Sequence, residues 1–291
     1  MDVITWTLAA LVAVLTAYLV YSFVCKTFMM PRNSPAAPVV SSGSLGTNEI
    51  ITVYVFPAAG ATTSSSPFAT KLLTYCRLTG IPHVVEVADP AKAPNGKIPF
   101  ISHGANLLGD SQLIIRYLEN TFDVPKSSHQ VVKNSIYGDL LLIPYVCFNE
   151  LNPGDKSICN MVRLVCEGEL YWGLVSLRFL GNIGVGKSES LWHNTIDEFF
   201  HTIPSLIRPL VTAMIRVSTY HDAYAQGLAR HAPEDQLVFI KNDLKSLSTV
   251  LGNKRFFLGD FPSECDCFVY GLLGKPLWTI YITQLTVPSV Y

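Results

Sequence analysis

The sequence predicts an α/β half followed by an all-α half, with one membrane-spanning helix ahead of both. Three observations carry this. Between about residues 51 and 122, short β-branched and aromatic runs alternate with helical periodicity. From about residue 130 the strand-like runs stop and only helical patterns remain. Residues 4–25 are uncharged and mostly Leu, Val, Ala, Ile and aromatic.

The N-terminal run comes first. Its length matches the ~20 residues needed to cross the hydrocarbon core. Trp6, Tyr18 and Tyr21 lie toward its ends, where amphipathic rings favour the interface. A secretory signal would show a basic start and a small-residue cleavage site. Here Asp2 is the only charged side chain before the run, and residues 21–25, YSFVC, are bulky. Residues 1–28 are therefore read as a transmembrane anchor and 29–48, rich in Pro, Ser and Ala, as a linker. Lys26 and Arg32 follow the run, so the positive-inside rule turns the folded domains toward the cytosol. The chain is thus expected to be a single-pass membrane protein.

Composition narrows the function classes. Seven cysteines, without a CxxC pair, read as free thiols in a reducing compartment. No His/Cys group has zinc spacing, so no metal is expected. The net charge is −1 without a basic stripe, which argues against a nucleic acid partner.

Residues 51–56, ITVYVF, read as a buried strand. Ser66 is a good N-cap and Pro67 suits the first helical position. Phe68, Leu72, Tyr75 and Cys76 recur at helical spacing until Gly80 stops the helix. Residues 83–87 form a second strand. A loop through Pro90, Pro94, Asn95 and Gly96 leads to a short hairpin, residues 98–101 and 106–108, around Gly104. Asp110 then caps a helix that turns Ile114, Ile115 and Leu118 inward. This order makes a small α/β sandwich over residues 49–124. Residues 135–291 form the helical half, with candidate helices at 137–148, 158–180, 191–200, 204–226 and 234–251. In the last of these Leu237, Ile240, Leu244, Leu247 and Leu251 form one apolar stripe.

Three pieces stand where a strand meets a turn or a helix start: Ser66-Pro67-Phe68-Ala69, Lys97-Ile98-Pro99-Phe100 and Asp110-Ser111. They resemble the glutathione site of the glutathione transferase superfamily. That family joins a thioredoxin-like N-terminal domain to a transferase-type helical domain. SPFA resembles the CPFA start of omega-type transferases, with Ser66 in place of the catalytic cysteine. Pro99 matches the family's cis-proline. The resemblance implies that the backbone of Ile98 pairs with the cysteinyl unit of glutathione, and that Asp110 and Ser111 hold its γ-glutamyl group. Ser263-Glu264-Cys265-Asp266 resembles the S-x-x-D capping box of the helical domain.

The chain resembles most closely the branch containing metaxins, the failed axon connections protein and cadmium-responsive proteins. Residues 66–82, SPFATKLLTYCRLTGIP, resemble that branch's first helix. Residues 224–231, YAQGLARH, resemble its YxQGxxRH segment, and 247–260, LSTVLGNKRFFLGD, its LSxxLGxKxFxxGD segment. The branch also places an acid three residues before a Tyr-Trp pair. Tyr171-Trp172 is present, but Gly168 holds the acidic position, between Glu167 and Glu169.

The resemblance implies a membrane-tethered adaptor, trafficking or stress-response protein that is not an enzyme, with protein partners or a second copy of itself. The absent cysteine favours this reading. The alternative is a glutathione-dependent transferase in which Ser66 stabilises the thiolate and glutathione is held by Ile98, Pro99, Asp110 and Ser111. Each residue also has a plain structural role. Ser66, Asp110 and Ser111 cap helices, Pro99 shapes a turn, and Ser263 with Asp266 closes a cap. Lys97 could meet a carboxylate, though a loop lysine is ordinarily solvated. Without a partner cysteine at Ser66 or Ala69, CxxC redox chemistry is excluded there.

One motif points elsewhere. Residues 181–188, GNIGVGKS, fit the phosphate-loop pattern G-x-x-x-x-G-K-S. A nucleotide-binding reading would put Lys187 on phosphates and Ser188 on magnesium. It also requires a strand before, a helix after and a parallel sheet around the loop, and the sequence offers no βαβ series there.

Overall fold

The computed structural model describes residues 50–57, 64–122, 145–180 and 204–274. The anchor and linker, the loop at 181–188, the helix expected at 191–200 and most of that expected at 137–148 lie outside these residues. Among the described residues no helix is long and apolar enough to cross a membrane.

Strand β1 (Ile51–Val55) alternates buried and half-buried residues, so Ile51, Val53 and Val55 face one side. Helix α1 (Pro67–Thr79) begins at Ser66 and ends at Gly80, whose φ of 70° is the left-handed cap that glycine adopts without a Cβ penalty. Strand β2 (His83–Val87) runs parallel to β1, as a helical crossover requires. Strands β3 (Phe100–His103) and β4 (Asn106–Gly109) form a hairpin whose two-residue turn has Gly104 at φ 57°. Helix α2 (Ser111–Thr121) follows directly.

The sheet order is β2-β1-β3-β4, with β3 antiparallel to both neighbours. Leu72, Leu73, Tyr75 and Cys76 from α1 and Ile114, Ile115 and Leu118 from α2 bury against Ile51, Val53, Val55 and Ile101. The fold expected for this half is therefore present. Among the described residues no strand pairs with its β2 edge, and Val84, Val85 and Val87 are exposed.

The second half is helical. Asn152 caps α3 (Pro153–Val165), accepting from the Asp155 N–H at 2.9 Å. Helical structure then continues without a loop to residue 180, through a wide π-type turn (Cys166–Leu170), α4 (Tyr171–Val175) and a second wide turn (Ser176–Leu180). The helix expected from residue 158 thus starts five residues earlier, because Asn152-Pro153 supplies the better start signal. Helix α5 (Arg208–Gln226), α6 (Pro233–Leu251) and α7 (Glu264–Leu273) complete the described set. The expected α6 stripe packs as read: Ile240 and Leu247 are buried, with Leu237, Leu244 and Leu251 partly buried beside them.

One expectation changes. Residues 145–147 were expected to end a helix, but they run extended into a single turn at Phe148–Glu150. The reason is a tertiary contact. The Val146 N–H donates to the Pro262 carbonyl at 3.0 Å, which ties this segment to the start of α7 rather than to its own preceding turn.

The halves meet mainly through α7, which lies along α1. Gly271 makes this possible. A Cβ there would stand 2.8 Å from the Pro67 carbonyl oxygen and 2.9 Å from the Lys71 backbone nitrogen. Because those atoms are backbone, Gly271→Ala must separate two helices. It should cost about 1–3 kcal/mol in urea unfolding; an unchanged midpoint would show that the helices slide apart freely.

Candidate functional site

The sheet register assembles the three sequence pieces at one end. β1 leaves the sheet at Val55, β3 enters at Phe100 and β4 leaves at Gly109. Phe100 pairs with both Tyr54 and Gly109. Ile98-Pro99 therefore stands between the exit of β1 and Asp110, about 5 Å from each by strand spacing. The Ser65 N–H donates to the Pro57 carbonyl at 3.1 Å and closes the described ends of the β1–α1 connection. That brings Ser66 to the same end. The N-termini of α1 and α2 thus converge beside Pro99.

Ser66 is buried, with extended backbone dihedrals. Its hydroxyl oxygen accepts from the Ala69 N–H at 3.4 Å, a long capping bond. Its backbone N–H donates to Ser64 Oγ at 3.3 Å. A serine hydroxyl can accept and still donate, so capping leaves its proton available to an anion at the helix start.

The Ile98–Pro99 peptide is cis, as the resemblance implied. Pro99 is buried and Ile98 half-buried. The β1–β3 ladder ends at Phe100, so Ile98 lies beyond it. The loop before it is pressed against β4: a Cβ on Gly109 would meet the Pro94 side chain at 3.1 Å. Lys97 is exposed.

Asp110 is the strained residue. Its φ is 70° and its ψ 115°, a region disfavoured for a residue with a Cβ. Such a conformation costs about 1–3 kcal/mol and persists only where its surroundings impose it. Its carboxylate accepts from the N–H groups of Gln112 at 2.9 Å and Leu113 at 3.2 Å, yet the residue is exposed. Ser111 is buried beneath it. The helix-capping roles of Ser66 and Asp110 are thus real, and neither closes the site.

No nucleophilic thiol competes with Ser66 among the described residues. Their six cysteines are free and buried, and burial pushes the Cys76 and Cys166 thiols up to about 12. Beside the start of α1 the helical half presents an aromatic surface. The ring of Phe68 lies 4.9 Å from that of Tyr171, which meets Trp172 edge-on at 5.4 Å.

Sequence reasoning missed the residues that hold α1 in place. Lys71 is almost fully buried, and its ammonium meets Glu167 Oε1 at 2.6 Å. It lies 5.1 Å from the Phe268 ring centroid and 5.8 Å from that of Phe68. Glu167 also pairs with Arg163 at 3.1 Å. The wide turn explains the displaced acid. Gly168 sits three before Tyr171, where an acid was expected, but a turn of this type takes one more residue than an α-turn. The extra residue brings Glu167, four before Tyr171, round to α1. The sequence signal was the pair of acids flanking Gly168.

A second buried acid pins α2. Glu264 is fully buried. It accepts from Gln112 Nε2 at 2.6 Å and from Arg116 at 2.7 Å. Arg116 also pairs with Glu119 at 2.7 Å. Ser263 and Asp266 form the expected capping box, with the Asp266 carboxylate accepting from the Ser263 N–H at 2.8 Å.

The phosphate-loop residues Lys187 and Ser188 lie outside the described residues.

Residues 67–136 match the glutathione S-transferase N-terminal domain family, and residues 240–287 match the glutathione S-transferase C-terminal domain family. The isoprene-epoxide glutathione S-transferase of Rhodococcus sp. (strain AD45) is 28% identical over 245 residues, covering 77% of this chain and 85% of that protein. The failed axon connections protein of Drosophila melanogaster is 24% identical over 237 residues, 78% of this chain and 50% of the fly protein. Among solved structures, an unclassified glutathione S-transferase from Bombyx mori aligns with a TM-score of 0.45 at 14% identity, covering 78% of this chain and 79% of that one.

Removing Glu167 strands a buried ammonium. Glu167→Ala should therefore cost about 3 kcal/mol, whereas Lys71→Met, of similar length and apolar, should stay within about 1 kcal/mol of the parent. Chemical denaturation of both variants measures the difference; equal costs would mean that the charges are not the reason for the contact.

Proposed function

We propose that the sheet end of this chain, whose residues 67–136 and 240–287 match the N- and C-terminal domain families of glutathione S-transferases, is a binding site for glutathione. One observation carries the reading. Asp110 is held in a strained conformation at the surface, beside Pro99 and between two helix N-termini. Capping alone does not require that strain, since an unstrained Asp caps as well. Strain at an exposed acid fits a ligand clamp.

The chemistry follows from charge. The γ-glutamyl ammonium is the partner for the Asp110 carboxylate. The Ser111 hydroxyl and the first N–H groups of α2 favour the adjoining carboxylate. The backbone of Ile98, beyond the ladder, would pair with the cysteinyl unit as an added strand does. The sulfur then lies toward Ser66. There the hydroxyl proton and the positive end of α1 favour thiolate over thiol. Phe68 and Tyr171 offer an apolar wall for an acceptor.

A second reading is an adaptor on the membrane that uses the same fold without turnover, its anchor being residues 1–28. The similarity to the failed axon connections protein and the capping bond at Ser66 support it. Ligand binding and catalysis are separable at these residues.

The full-length chain in detergent is titrated with glutathione while unfolding is followed. At about 100 times Kd, glutathione should stabilise it by about 2.7 kcal/mol. Asp110→Gly relieves the positive φ and should raise intrinsic stability by about 1 kcal/mol while abolishing the glutathione effect. Ser66→Ala should leave binding within a few-fold and remove any conjugation to an electrophile. A glutathione effect that survives Asp110→Gly would sink the assignment. Binding without turnover in the parent chain would favour the adaptor.

A further inference from the structure

Helix α5 (Arg208–Gln226) turns its apolar face outward. Leu206, in the turn leading into it, is followed by Leu210, Ala213, Val217, Tyr220 and Tyr224, in alternating steps of four and three residues. All six are exposed, the five large side chains by 43% to 91%. At about 100° per residue, the six fall within an arc of about 80°. Thr212 and Ala223 are buried on the opposite side, where the helix meets the second wide turn (Ser176–Leu180) and the short turn Leu228–Arg230. An amphipathic helix ordinarily turns its apolar stripe to the core of its own chain. A contiguous apolar stripe turned to solvent marks an interaction surface.

The charges of α5 avoid the stripe. Arg208, Arg216 and Asp222 all lie about 80° or more round the helix from its midline. Arg216 donates to the Leu180 carbonyl of its own chain.

The spacing selects the partner. A seam of strict heptad positions is narrow and suits another helix, whereas a lipid face is broad and rich in Lys and Arg along its border. The stripe is also its own complement. An antiparallel two-fold axis level with Ile215 sets Leu206 of one copy against Tyr224 of the other, Leu210 against Tyr220, and Ala213 against Val217. The smallest pair then lies at the centre, where the helices approach most closely, and no charged side chain enters the seam. We propose that this face binds a second copy of the chain, through an antiparallel pair of α5 helices related by a two-fold axis.

The contact is a single helix pair about 27 Å long. That stands at the small end of interface sizes, so the dimer forms and separates with concentration. Ser66, Pro99 and Asp110 are not part of the seam, and the proposal is independent of the glutathione reading.

The test uses the full-length chain. Sedimentation in detergent between about 1 and 100 μM should show monomer and dimer in exchange. Val217→Glu should weaken the association by about tenfold or more, because each copy then carries an acid into an apolar seam. It should leave the urea midpoint of the dilute chain unchanged, since Val217 is already exposed. Orientation is read in lipid vesicles with a short bifunctional thiol reagent, in a Cys25→Ser background; the other six cysteines are buried. A mixture of Ala213→Cys and Val217→Cys chains should cross-link several times more readily than Ala213→Cys chains alone. A chain that stays monomeric throughout the range, or an association that Val217→Glu leaves unchanged, overturns the dimer. A fall in the dilute-chain midpoint of Val217→Glu also overturns it, because the stripe is then covered by its own chain. Protection of the Val217→Cys thiol from an aqueous maleimide without cross-linking overturns it in favour of a lipid surface. Equal cross-linking of Ala213→Cys alone overturns the antiparallel register.

Discussion

The contact between α1 and α7 fixes almost everything else. It is unusually close, because Gly271 lets the helix backbones approach where any side chain would collide with Pro67 and Lys71. Such an approach leaves no water for the Lys71 ammonium, so it must be neutralised by protein. Glu167 does this at 2.6 Å, with the Phe268 and Phe68 ring centroids 5.1 and 5.8 Å from the ammonium. A buried pair of this kind adds little net stability over an apolar pair. Its value is positional, since only one register of α1 against the wide turn satisfies the charge.

The same helix also holds α2. Glu264, in the first turn of α7, takes bonds from Gln112 and Arg116, while Gly271 at the other end seats α1. Both helices whose N-termini meet beside Pro99 are therefore referred to one element of the other half. A site built at two helix starts needs those starts held to within a fraction of an ångström. The helical half supplies that constraint whether or not it touches a ligand. The retained geometry at Ser66, Pro99 and Asp110 thus follows from the joint as much as from the local sequence.

Much of this was legible before the structure. Ser66-Pro67 and Gly80 bound α1 because capping and proline chemistry are local. The alternation of ITVYV gave a strand with a buried face, and the apolar stripe placed α6. Asp110 was legible as a cap, but its positive φ was not, because nothing in an aspartate at a helix start announces that conformation. The acid expected three residues before Tyr171 stands four before it, as Glu167, because helical spacing assumes 3.6 residues per turn and a wide turn breaks that count. The extended run at residues 145–147 followed from its pairing with the start of α7, a contact between residues more than a hundred positions apart.

The central claim is that the sheet end recognises the γ-glutamyl group of glutathione through Asp110 and the start of α2. Calorimetric titration of the full-length chain with glutathione and with the dipeptide Cys-Gly tests it most directly. The account predicts binding of glutathione and a loss of at least tenfold in affinity for the dipeptide, which lacks the group Asp110 would hold. Equal affinity for the two, or no heat with glutathione at millimolar concentration, would contradict it.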